Sequence, residues 1–414
     1  MKKILTAFSR LTSVALIAGI LASCSGGGDS TSSGSSSKAA SGKTESNTSS
    51  TAYDTSKNEA QRASFDKYGH YGNADLGYET MSGERDPWTW PFSRDSIWNM
   101  PLGSNAKYEH VGFEFYDAYG FDEEYIWTTD ENDEQLEIVK STMHDRWPDD
   151  VTNYHRGGKI YWPRGVTISK ELRGNCCSAI LQPDGRYIIQ LQPTCRDTTD
   201  ANYVVGIGGG KVDIYDLGYF GSHYGSYLST LGGSIRLGEL TNDEDIHHSL
   251  KLDVFGKTCL YFDWETMGYT WPAKTADSGA SEGAYAGKNP NVRMGSLLAI
   301  DPNVTAESLG ITTKPGKKIF KALQDYGCYI VDDSAWEEYN FCGDIAVIDE
   351  VKKAYGININ GNYSMTADSV NRAWAKDLKA MIENLKVITN NSKATVGGGG
   401  TPRRPLAPNL PSLK

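Results

Sequence analysis

The chain lacks most of the signatures that announce a reaction. It has no H-E-x-x-H and no Walker loop, so it carries no motif for a helix-borne zinc site or a phosphate loop. No C-x2-C pair occurs, no histidine stands at ligand spacing from a cysteine, and EF-hand spacing is absent. On these grounds no metal and no cofactor is expected. The cluster Gly206-Ile207-Gly208-Gly209-Gly210 lacks a third spaced glycine and precedes a strand-like stretch, so it reads as a hairpin loop rather than a dinucleotide cradle. No internal repeat is apparent. Positive charge is scarce: 41 Lys and Arg face 52 Asp and Glu, a net charge of −11. An acidic surface argues against nucleic acid as a partner.

What is present begins with an address. Lys2, Lys3 and Arg10 precede an apolar stretch from Val14 to Leu21, which ends in Leu21-Ala22-Ser23-Cys24. The stretch is too short for a spanning helix and is followed by small residues that suit a peptidase. The run resembles the bacterial lipobox. That resemblance implies a signal peptide over 1–23 and lipidation of Cys24, with two or three acyl chains holding the protein at a membrane of the cell envelope. Losing the three basic residues takes the net charge to −14. Residues 24–62 are dominated by Ser, Gly, Thr and Lys and read as a tether. The remainder, 63–414, reads as one globular domain with an extended Pro-rich tail.

Six cysteines follow Cys24. An even number in an exported chain favours disulfides, with Cys328–Cys342 and Cys195 to Cys176 or Cys177 as the pairs that local structure suggests.

The pattern along the domain is β-rich. The stretch 63–105 reads as an extended segment laid over a core, and Asp130 as a cap for a helix carrying Leu136, Val139 and Met143. Ala179–Leu181 and Tyr187–Gln192 flank Pro183-Asp184-Gly185-Arg186 as a hairpin. Lys211–Tyr215, Ser234–Leu237 and His247–Phe255 read as further strands. In the last of these, Leu250, Leu252 and Val254 share one face with His248. His247, Ser249, Lys251 and Asp253 form a polar surface on the other. Beyond Pro315 three helices alternate with strands at 328–331 and 386–389. The fold class is therefore α+β and strand-dominated: a large sandwich or jelly-roll-like body with a few helices packed on it in the C-terminal third.

The body, about residues 90–410, resembles a widespread group of exported bacterial proteins. The resemblance rests on Pro91-Phe92-Ser93 with Ser96-Ile97-Trp98-Asn99, on Leu231-Gly232-Gly233-Ser234-Ile235-Arg236-Leu237-Gly238-Glu239-Leu240, on His248-Ser249-Leu250-Lys251, and on Ala322-Leu323-Gln324-Asp325-Tyr326-Gly327. It implies no particular reaction. Its setting beside carbohydrate-active enzymes, the anchor, and a load of ten Trp and twenty-four Tyr point to an extracellular polysaccharide as partner. As a hydrolase the chain would draw a carboxylate pair from Glu239, Asp325 and Asp333. As a lyase it would use His248 or His223 as base and Tyr224 or Tyr227 as acid, with Arg236 or Arg293 to neutralise a uronate. Trp271 is a candidate stacking platform. The alternative is a non-catalytic glycan-binding or structural envelope lipoprotein.

Overall fold

The computed structural model describes residues 59–142, 145–172, 174–360 and 369–413. The leader, Cys24, most of the tether and Met143 lie outside the described residues.

Twelve strands form one mixed sheet. Its first half joins β1 (Tyr108–His110), β13 (Leu385–Ile388), β10 (Leu297–Ile300), β11 (Cys328–Asp333), β9 (Leu250–Val254) and β12 (Tyr339–Asp344). Its second half joins β5 (Ser178–Leu181), β6 (Tyr187–Cys195), β7 (Tyr203–Asp213), β3 (Glu134–Lys140) and β4 (Arg156–Trp162). The shared strand is β2 (Tyr119–Thr128). Its Tyr119–Glu124 stretch pairs with β12 and its Tyr125–Thr128 stretch with β5, both in parallel. A short strand, β8 (Phe220–His223), lies outside the sheet order. The strand-dominated α+β body with helices from its C-terminal third is thus what the sequence pattern indicates.

The helices are α1 (Glu59–Tyr68), α2 (Gly256–Cys259), α3 (Lys314–Asp325), α4 (Ala346–Tyr355) and α5 (Ser369–Glu383); α1 opens inside the end of the expected tether. Thr313 caps α3 by accepting the Gly316 N–H at 3.0 Å, and Pro315 occupies its first turn. The helix buries Ile319, Phe320 and Leu323. Asp377 on α5 accepts the Thr312 and Thr313 N–H groups at 2.9 and 2.8 Å, which ties the start of α3 to α5. Leu250, Leu252 and Val254 meet these helices through Phe341, Val347 and Leu378 in the largest apolar cluster.

The other side of the sheet is covered by chain without regular structure. Phe92, Ile97, Trp98 and Leu102 are fully buried there, with Leu406 and Leu410 of the tail. Trp98 Nε1–H donates to Gly218 O at 2.8 Å and Ser96 Oγ to Leu217 O at 2.6 Å. The segment 63–105 therefore serves as the lid of a second core rather than as surface.

Several expectations change. The helix expected after Asp130 is β3: Leu136 and Ile138 alternate inward, and pairing with β4 and β7 outweighs the helical spacing. Asp130 instead closes a turn, accepting the Asn132 N–H at 2.7 Å. The glycine cluster lies within β7, not in a loop; Gly208, at φ 96°, sits where the β6–β7 register shifts. Ser234–Leu237 makes only a single bridge, Ile235 to Gly343. The strand expected from His247 begins at Leu250, so both histidines precede it. Lys251 and Asp253, expected on a polar surface, are 0% and 2% exposed.

The six described cysteines are buried and form no disulfide. Cys328 and Cys342 sit on β11 and β12 with β9 between them. Two strand spacings, about 10 Å, exceed the reach of a disulfide. Cys176 and Cys195 face separate apolar clusters. Among the described residues no helix is long and apolar enough to cross a membrane.

Candidate functional site

A cleft of about 630 Å³ opens beside the end of β12. Five stretches of chain form it: Trp88–Trp90 from the covering segment, Ile126–Thr128 at the end of β2, Pro163 just after β4, the loop Arg236–His248, and Asp344 with Ala346 where β12 turns into α4. Trp88, Trp90 and Trp127 are half-buried along it.

The Trp90 ring is held in place at both ends. Its Nε1–H donates to Asn99 Oδ1 at 2.9 Å, and its face stacks on His247 at 5.2 Å and 15°. Asn99 in turn donates to the Pro91 and Ser93 carbonyls at 2.8 and 3.0 Å. Arg236 lies over the Trp88 ring at 4.7 Å and donates to Trp88 O at 3.1 Å. The covering segment therefore completes the cleft.

The polar core of the cleft is Glu239 with His248. A turn brings Glu239 back onto its own loop: its N–H donates to Arg236 O at 3.0 Å, and its Oε2 accepts the Arg236 N–H at 2.7 Å. His248 Nε2 lies 3.0 and 3.2 Å from the two Glu239 oxygens, and Nδ1 lies 2.8 Å from Ser249 O. Both ring nitrogens thus face acceptors, so the ring satisfies both only as imidazolium. The electrostatics agree. Burial opposes charge on each group, but their mutual attraction and hydrogen bond outweigh it. His248 is raised and Glu239 is lowered from its ordinary value.

Asp344 behaves in the opposite way. Burial lifts its carboxyl above the usual range, against a hydrogen bond from the Ala346 N–H at 3.0 Å and the charge of Arg236. One cleft thus contains a carboxylate held ionised and a carboxyl biased towards its neutral form.

Next to the cleft, on the same face of the sheet, lies a sealed cluster. Asp344 is in register with Glu124, and Cys342 with Asp122. Glu124, His223 and Lys251 are each 0% exposed. Glu124 accepts from His223 Nε2 at 2.8 Å, from Ser234 Oγ at 2.6 Å and from Lys251 Nζ. Lys251 also donates to Thr230 O at 2.6 Å and Ser229 O at 3.2 Å. Burial and Lys251 oppose charge on His223, yet hydrogen bonds to Asp332 and Glu124 raise its pKa. Burial pushes Asp122 up to about 7 and Asp253 well above the usual carboxylate range.

Of the residues singled out from the sequence, Arg236, Glu239 and His248 meet in the cleft. His223 is in the sealed cluster. Asp325 ends α3 in ion pairs with Lys321 and, at 3.4 Å, Arg404. Asp333 closes a turn, accepting the Gly256 and Ala335 N–H groups at 2.9 Å each. Arg293 pairs with Asp263 at 2.7 Å and overlies Tyr261, which holds Asp263 at about 2. Tyr224 and Tyr227 contact each other at 5.1 Å, and Trp271 packs edge-on against Tyr219 at 6.0 Å. None of these seven residues lines the cleft.

Sequence reasoning missed Asp344, Trp127, Glu124 and Lys251 as site residues. A signal existed for Glu124: three consecutive acids, Asp122-Glu123-Glu124, stand inside a strand whose other residues are mostly Tyr, Phe, Ile and Trp. Comparison of the chain with known families, with curated proteins and with solved structures returns no match.

Proposed function

We propose that the cleft binds a glycan and hydrolyses a glycosidic bond, and that the chain does so as an envelope lipoprotein anchored through Cys24. The observation that carries the reading is the pair Glu239 and Asp344, pushed in opposite directions within one tryptophan-lined cleft. Sugar rings stack on indole faces. Asp344, biased towards its protonated form, would give its proton to the leaving oxygen. Glu239, ionised, would take a proton from the attacking water or itself attack the anomeric carbon. His248 would act as a charged clamp that keeps Glu239 ionised and oriented.

The geometry lends less support to a lyase. His248 has no free lone pair beside Glu239 and Ser249 O, and His223 is closed to solvent. A non-catalytic glycan-binding role has one observation in its favour: both Glu239 oxygens already accept hydrogen bonds within the protein.

The test is incubation with a panel of neutral and uronate-bearing polysaccharides, followed by reducing-end assay and mass analysis. Saturated fragments support hydrolysis. Fragments with ultraviolet absorption would mean elimination, and binding without fragments would mean a presenting protein.

A further inference from the structure

We propose that Asp122, Asp253 and Cys342 form a binding site for one divalent metal ion of the zinc class, beneath the cleft and separate from Glu239.

These residues come from three adjacent strands and project from one face. Cys342 is in register with Asp122 across β12 and β2, and Asp253 opposes Asn340 across β9 and β12. One ligand atom from each lies within 4.8 Å of the other two. That spacing matches a shared ion at ordinary Zn–S and Zn–O bond lengths after small side-chain adjustments.

A second observation concerns what the carboxylates lack. Asp253 is 2% exposed, yet its only donor among the described residues is the Cys342 thiol, 3.6 Å from each oxygen. Asp122 Oδ2 is shut off from solvent with no hydrogen-bond partner. Buried carboxylates elsewhere in this protein are well served: Glu124 has three donors and Asp377 at least three. Neither neighbouring cation fills the gap: the three protons of Lys251 go to Glu124, Thr230 O and Ser229 O, and the two ring nitrogens of His223 face Glu124 and Asp332. Two carboxylates facing a thiol in a site with no adequate donor want a cation.

The donor set selects the class of ion. Thiolate with carboxylate oxygen suits zinc and its borderline neighbours better than calcium or magnesium, which take oxygen alone. Three protein ligands leave the remaining coordination to water. Ligation needs Cys342 as the thiolate, so ion uptake releases its proton to solvent.

The experiment uses the full chain, stripped with a chelator and dialysed against zinc chloride or cobalt chloride. The expected result is one equivalent of metal per chain, and with cobalt a near-ultraviolet thiolate-to-metal band. Asp253→Asn and Cys342→Ser should each lower uptake at least tenfold and weaken or remove the band. Cys328→Ser, a buried cysteine two strands away, should keep both. If the site variants fail to fold, the wild-type band still decides, since it reports thiolate ligation without any substitution. A folded wild-type chain that takes up less than a tenth of an equivalent, or binds cobalt without a thiolate band, overturns the proposal. So does undiminished binding by folded Cys342→Ser.

Discussion

Among the described residues there are two histidine–glutamate pairs, and they differ in access rather than in chemistry. Glu239–His248 opens on a tryptophan-lined cleft. Glu124–His223 is sealed under Ser234, Thr230 and Lys251. Both histidines are raised and both glutamates lowered. The two regions adjoin, since Asp344 of the cleft is in register with Glu124. The comparison teaches that an ion pair becomes a candidate for catalysis through its surroundings: an open wall, a second carboxyl biased the other way, and aromatic surface for a ligand. The sealed pair has raised carboxyls beside it but neither an open wall nor aromatic surface for a ligand, and is best understood as a polar brace inside the second core.

The sharpest way to break the comparison is Lys251→Met. It removes the ammonium from beside Glu124 and strands two carbonyls, so unfolding free energy should fall by about 3–5 kcal/mol. Urea unfolding reads this directly. A loss below about 1 kcal/mol would mean that the sealed pair stabilises little.

Asp344→Asn tests the cleft instead. Asparagine keeps the shape but cannot give up a proton, so turnover on any glycan hit should fall about a hundredfold or more while stability changes little. The wild-type rate should also decline as pH rises through the raised Asp344 pKa, and the variant should lack that limb.

Trp90→Ala should weaken glycan binding by about 1–2 kcal/mol, a loss of one stacked ring. Isothermal titration checks it. The same substitution at Trp264, an exposed tryptophan away from the cleft at 70%, should change affinity very little.

The smallest effect concerns pH and stability. The lowered Glu239 contributes above its unfolded value, near 4.5, and loses that contribution as pH falls through its folded pKa. The raised His248 contributes fully below its unfolded value, near 6.5, and loses that contribution as pH rises through its folded pKa. The pair is therefore at full strength between those two values. His248→Gln should cost about 1.5 kcal/mol there and less on either side. A uniform loss from pH 4 to 9 would show that packing, not charge, is what His248 supplies.

Much of this arrangement was legible in the chain. The α3 cap and proline, the turn at Asp184 and Gly185, and the split of β9 into apolar and polar sets follow from local rules that the tertiary structure left in force. Glu239, Arg236 and His248 were also found, because one short run supplies all three. What stayed hidden depends on contacts distant in sequence. Trp127 and Asp344 reach the cleft only because β2 and β12 pair in parallel, and no spacing in the sequence encodes that pairing. The polar set of β9 looked solvent-exposed because period two says which residues share a face, not what covers it. The cover is the irregular segment around Trp98 and Ser234, whose turns carry no periodic signal. His223 misled for a related reason: as a base it was expected to reach a substrate, whereas it is fully buried against Glu124.

The central claim is that the open pair works on a glycan and the sealed pair does not. The most direct measurement compares Glu239→Gln with the wild-type chain on one polysaccharide hit, by calorimetry for binding and by reducing ends for turnover. The account predicts similar affinity with a rate at least a hundredfold lower. Equal rates for the two proteins, or no polysaccharide bound by either, would contradict it.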